Sequence, residues 1–73
     1  MEFVTEFRIR LLRALRLRAM SQSQLAKGIG VAASTVNTWC KGIATPSVYY
    51  LPLICKSLNV SADYLVGLTD NVD

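Results

Sequence analysis

The side chains able to do chemistry are few, and their placement is lopsided. All five carboxylates lie near the two ends, at Glu2, Glu6, Asp63, Asp70 and Asp73, and the 56 residues from Phe7 to Ala62 hold none. That stretch carries every cation: Arg8, Arg10, Arg13, Arg16, Arg18, Lys27, Lys41 and Lys56. Eight positive charges against no negative one give the body +8, although the whole chain is only +3. A folded body so basic repels itself unless a polyanion neutralises it. Nucleic acid is the first expectation and an anionic membrane surface the second. Catalysis has little to work with. The absence of histidine removes any imidazole base, catalytic triad or histidine metal ligand. Cys40 and Cys55 are far from CxxC spacing and read as small hydrophobes in a reducing cytoplasm. No enzyme activity, metal, cofactor or small-molecule ligand is expected.

These residues must be positioned by one small domain. A chain of 73 residues buries only about 60% of its unfolded surface, enough for a single core. No apolar run approaches the roughly 18 residues of a membrane span, and the arginines interleaved in the N-terminal stretch do not make a secretory signal. From Val4 to Ala19, Val4, Phe7, Leu11 and Leu15 recur at helical spacing, while Ile9, Leu12 and Leu17 fall off that stripe. Ser21 and Gln24 form a capping box, with Met20 and Leu25 as a hydrophobic staple, opening a second helix that Gly30 ends in a left-handed turn. A third helix is expected over 33–40, with Ala32 as a poor cap, Val36 and Trp39 facing inward and Gly42 as the stop. A loop over 42–50 leads to a fourth helix from near Leu51, where Pro52 is harmless in the first turn, to Leu58, with Asn59 as a left-handed stop. Ser61 caps a short fifth helix through Val66, and Gly67 ends it. The domain is expected to span 1–68, with 69–73 a frayed tail or the start of a linker.

Two of these helices, joined by a glycine, fit the helix-turn-helix register. With Gln22 as the first position, the small Ala26 falls where the helices cross closely and Gly30 falls at the turn. Leu25, Ile29, Val31, Val36 and Trp39 supply the apolar lock, so that the second helix of the pair stands out from the body.

At these positions the sequence resembles the lambdoid phage repressor and Cro type of helix-turn-helix regulators. The resemblance covers nearly the whole chain: Phe7, Arg10 and Leu11; Met20-Ser21-Gln22 with Leu25-Ala26; Ile29-Gly30-Val31; Ser34-Thr35-Val36; Lys41-Gly42; Pro46; and Ala62-Asp63-Tyr64-Leu65 with Gly67. It implies an all-α, compact five-helix lambda-repressor-like domain whose third helix enters the major groove of double-stranded DNA. It also implies a bacterial or phage repressor acting in the cytoplasm as a dimer on a near-palindromic operator. Carried over by position, Ala33, Ser34 and Thr38 are the base-reading places, with Asn37 beside them. Ser21 and Gln22 match the phosphate clamp at a helix N-terminus, where free amides and the dipole favour an anion. Thr35, Lys41, Thr45, Tyr49 and Tyr50 are further candidates for backbone contact. The family's two-fold contact comes from the fifth helix and its flanks, here Val60, Tyr64, Val66 and Leu68, giving a homodimer that is weak alone and stronger on DNA.

The sequence departs from the family's pattern in two ways. An acid usually follows the position of Trp39 and pairs with the arginine matching Arg10. Here that place is Cys40, so Arg10 is expected to turn toward a phosphate or another acceptor. The reading positions also lack Arg, Lys and Gln, which make the strong bidentate base contacts, so specificity is expected to lean on A·T-rich shape and dimer spacing. A second reading, a protein-interaction module that keeps the fold but mainly binds a partner protein, rests on that poor reading helix and on Ile9, Leu12 and Leu17.

Overall fold

Each turn of the chain is set by a few local bonds. The computed structural model describes residues 2–73, with side chains from Val4 onward. It contains α1 (Glu2–Leu17), α2 (Gln22–Ile29), α3 (Ala33–Lys41), α4 (Tyr50–Leu58) and α5 (Ala62–Leu65), and no strand among the described residues. The capping box is formed: Gln24 N–H donates to Ser21 Oγ at 3.0 Å, and Ser21 N–H donates to Gln24 Oε1 at 2.8 Å. Gly30 and Gly42 end α2 and α3 at φ 81° and 77°, a region L side chains enter at a cost of about 1–2 kcal/mol. Ala32 stands at the start of α3 with no side-chain cap, and Asn59 turns left-handed after α4 at φ 54°.

The differences from expectation have local causes. α1 ends at Leu17, before Ala19, because Ala19 itself is left-handed (φ 52°) and Met20 N–H reaches back to Leu15 O at 2.9 Å. That reversal brings Met20 against the core, and its burial offsets the strain in Ala19. α5 ends at Leu65, since Leu68 N–H closes on Asp63 O at 2.8 Å and Gly67 takes φ 88°.

One core joins all five helices. α1 contributes Phe7, Leu11, Ala14 and Leu15; α2 Leu25, Ala26 and Ile29; α3 Val36, Trp39 and Cys40; α4 Ile54 and Leu58. Leu12 packs on this core from the side and only Leu17 of the off-stripe set is exposed. Each fully buried large aliphatic side chain contributes about 1.5–3 kcal/mol, so the crossing of α2 on α3 is held from behind.

Two expectations at the C-terminus are corrected. Val60 and Tyr64, assigned to a dimer interface, are 6% and 5% exposed and close the core beside Leu65. A helix of one turn has too little surface to seal the body with one face and offer Tyr64 on another. Residues 69–73 fold back against the body. Ser61 N–H donates to Val72 O at 2.8 Å, and Val72 packs on the core.

Candidate nucleic-acid interface

The outward face of α3 follows from its inward one. At about 100° per residue, Val36, Trp39 and Cys40 share a buried side. Ser34, Thr38 and Lys41 fall on the opposite side, Asn37 lies on the flank, and Ala33, nearer the buried stripe, is uncovered because it is the first residue of the helix. Ala33, Ser34 and Lys41 are exposed, while Asn37 and Thr38 are half-buried. Trp39 is fixed further by Tyr50, with ring centroids 6.0 Å apart, and Tyr49 meets Tyr50 edge-on at 5.0 Å. Tyr50 is therefore a brace for α3 as well as a candidate contact, whereas the Tyr49 side chain is 71% exposed.

A polar bond locks the two helices on the outer side. Asn37 Nδ2 donates to Gln22 Oε1 at 3.0 Å. This leaves both N–H donors of the Gln22 amide, and Asn37 Oδ1, free for a ligand. The N-terminal amides of α2 and the reading positions of α3 are thus one surface. Thr38 Oγ1 donates to Ser34 O at 2.9 Å, so its hydroxyl remains an acceptor and its methyl stays available. Ser21 Oγ is engaged in the cap. Thr35 lies at the half-buried edge of α3, and Thr45 lines an apolar groove with Phe7, Pro46, Val48, Leu51 and Val66.

Arg10 is not part of this surface. It is 7% exposed, and four of the five N–H donors of its guanidinium are taken by residues of α1, α5 and the C-terminal tail. Nε donates to Glu6 Oε2 at 2.7 Å, Nη2 to Asp70 Oδ1 at 2.8 Å, and Nη1 to the carbonyls of Tyr64 and Thr69. The group also lies 5.0 Å above the Tyr64 ring centre, a favourable cation–π distance. With Cys40 unable to accept, the arginine is held by its own helix and by the tail, so the phosphate role is withdrawn. Glu6 was legible as an i, i+4 partner; Asp70, 60 residues away, had no local signal.

The remaining reactive groups are muted. Burial pushes the thiols of Cys40 and Cys55 up from their ordinary value, the latter against a backbone hydrogen bond that lowers it. Neither is primed as a thiolate nucleophile. Among the described residues, no cluster could hold a metal ion and no helix is long and apolar enough to cross a membrane.

The sequence profile of the helix-turn-helix family matches residues 9–65. The chain belongs to the Cro-type helix-turn-helix family. A solved structure, the SOS-response transcriptional repressor LexA from Eubacterium rectale, superposes on this helix-turn-helix domain with a TM-score of 0.84. The two are 30% identical over 90% of this chain and 70% of that one. No curated protein matches the chain. The helix-turn-helix domain is that of a DNA-binding transcriptional regulator. α2 and α3 form its bihelical unit, and the residues that fit the family's register sit where that unit needs them: Ala26 and Leu25 buried at the crossing, Gly30 in the turn.

Proposed function

We propose that this regulator is a phage or prophage-type repressor that binds a near-palindromic operator as a dimer, with α3 in the major groove. The observation that carries this reading is the uncovered outer face of α3, tied to the N-terminus of α2 by the Asn37–Gln22 bond. Gln22 presents its free amide hydrogens to a phosphate beside the positive end of α2, with Ser21, Thr35, Lys41, Thr45, Tyr49 and Tyr50 along the flanking strands. Ala33 and the Thr38 methyl suit thymine methyl groups. The Thr38 hydroxyl oxygen accepts from an exocyclic amine, and Ser34 and Asn37 supply the remaining polar contacts. With no bidentate arginine or lysine, sequence-dependent shape supplies part of the specificity.

Anchoring and reading separate by mutation. Gln22→Ala is expected to weaken binding to all duplexes and also to release Asn37, whereas Ser34→Ala and Thr38→Ala relax preference at particular base pairs. Competition among single-base operator variants measures this. Uniform loss from all three substitutions contradicts α3 as the reader.

Dimerisation rests on a different surface from the buried Val60 and Tyr64. The groove lined by Phe7, Thr45, Pro46, Val48, Leu51 and Val66 has a volume of about 340 Å³. Exposed Val48 stands at its wall, and Leu68, two residues beyond Val66, is also exposed. A two-fold pairing would offer each copy's Val66 and Leu68 to the partner's groove. One helix reads only a few base pairs, and two copies double the site, with half-sites about one turn, roughly 34 Å, apart. Repeated selection from random duplexes is expected to return an inverted repeat with that spacing. Val66→Asp and Leu68→Asp are expected to remove cooperative binding to it. A selected motif without a repeat, or unchanged cooperativity in both variants, contradicts the dimer.

A further inference from the structure

Arg8 stands apart from the other arginines of known contact. Its side chain crosses the C-terminal end of α3 in the space left by Gly42: a Cβ at residue 42 would lie 3.0 Å from Arg8 Cδ and 3.4 Å from Nε. Arg18 meets the end of α4 in a comparable way, and there it caps the helix, donating to Leu58 O and Asn59 O at 2.8 Å each. Arg8 does not cap α3. The carbonyls of Thr38 and Trp39 at that end are taken by the amides of Ile43 and Gly42. Among the described residues, no hydrogen bond or ion pair reaches the Arg8 guanidinium.

Its surroundings are cationic. The residue before Gly42 is Lys41, exposed and likewise outside every ion pair. The carboxylates of Glu6, two residues before Arg8, and of Asp70 are bound to Arg10. A half-buried arginine set beside Lys41 thus has no negative partner among the described residues. The end of α3 is also where a helix reading bases with its N-terminal part leaves the groove and meets the sugar-phosphate strand.

We infer that Arg8 is a phosphate-binding residue, so that α1 contributes to the DNA interface alongside α2 and α3. This rests on the DNA-binding reading above. Arg8 and Lys41 form one clamp on the strand next to the recognition helix, and the missing Cβ of Gly42 gives the arginine its path.

The test is the salt dependence of affinity for a mixed-sequence duplex, measured by fluorescence anisotropy for the wild type, Arg8→Gln and Arg13→Gln. Arg13 is exposed and about 140° away around α1. For Arg8→Gln, the slope of log affinity against log salt is expected to become shallower by about 0.9 for each phosphate lost. Affinity at low salt is expected to fall about tenfold, which one lost charge-assisted contact allows. Arg13→Gln is expected to keep the wild-type slope, and all three proteins the same circular dichroism and melting temperature. If Arg8→Gln and Arg13→Gln have the same slope, the inference is overturned while DNA binding stands. If the wild type binds no duplex at any salt, the DNA-binding reading itself has failed.

Discussion

Trp39→Ala is expected to leave much of the protein unfolded at 37 °C. The indole is 4% exposed, on the side of α3 opposite the reading face, and it is braced by Tyr50 at 6.0 Å. Truncating a buried tryptophan to alanine costs about 3–5 kcal/mol. At about 0.05–0.15 kcal/mol per residue, a domain of this length has only about 4–11 kcal/mol in total. The loss therefore consumes about a quarter or more of the stability. Thr38→Ala, one residue away on the outer side, removes a hydroxyl that bonds only within its own helix and is expected to change stability by less than about 0.5 kcal/mol. Urea unfolding followed by far-ultraviolet circular dichroism compares the two. Equal midpoints would mean that α3 is not oriented with Trp39 inward and Thr38 outward.

Raising salt from about 50 to 200 mM is expected to weaken DNA binding by about 10²–10³-fold. That range corresponds to about four to six phosphates neutralised per proposed dimer, at a slope of about 0.9 per phosphate. The estimate comes from the charge layout. Cations occupy the acid-free body, and two of them, Arg10 and Arg18, are withdrawn by internal bonds. The free ones include Arg8 and Lys41 at the end of α3. Titrations at several salt concentrations measure the slope directly. Affinity indifferent to salt over this range would remove the phosphate backbone as the main source of binding.

Most turns were legible because a residue type carried the backbone angle. Gly30 and Asn59 adopt the left-handed conformation expected of them, Gly42 and Gly67, expected as stops, adopt it too, and Ser21 with Gln24 makes a bond pair that spacing alone announces. Ala19 adopts the same conformation without any such mark, where the chain turns back so that Met20 bonds to Leu15 O and packs on the core. The outer face of α3 could be read from the positions of Val36 and Trp39. The Asn37–Gln22 bond could not, because it depends on how closely Ala26 lets the helices cross.

Long-range contacts escaped the sequence for the same reason. Arg10 with a missing partner at Cys40 left its acceptor open, and the answer, Asp70 with the Thr69 carbonyl, lies in a tail with no periodicity to read. Tyr64 shows the converse. In a one-turn helix, apolar residues at neighbouring positions fit a surface or a core equally well, and only packing against α1 and α4 decides. Of Ile9, Leu12 and Leu17, the apolar residues of α1 that would serve a partner protein, only Leu17 is exposed, and the other large exposed apolar residues are Ile43, Val48 and Tyr49 before α4 and Leu68 after α5.

DNA binding is assigned to one surface, and amide chemical shifts locate it most directly. A nitrogen-15-labelled sample titrated with a duplex of about two helical turns is expected to shift amides at Ser21 to Ser23, Ala33 to Thr38 and Lys41 to Thr45. Arg8, with its side chain over Gly42, is expected to join them. Lys56 and Ala62, exposed on α4 and α5, are expected to stay in place. Shifts concentrated on α4 and α5, with Gln22, Ser34 and Asn37 unmoved, would contradict the assignment of α2 and α3 as the DNA-binding face.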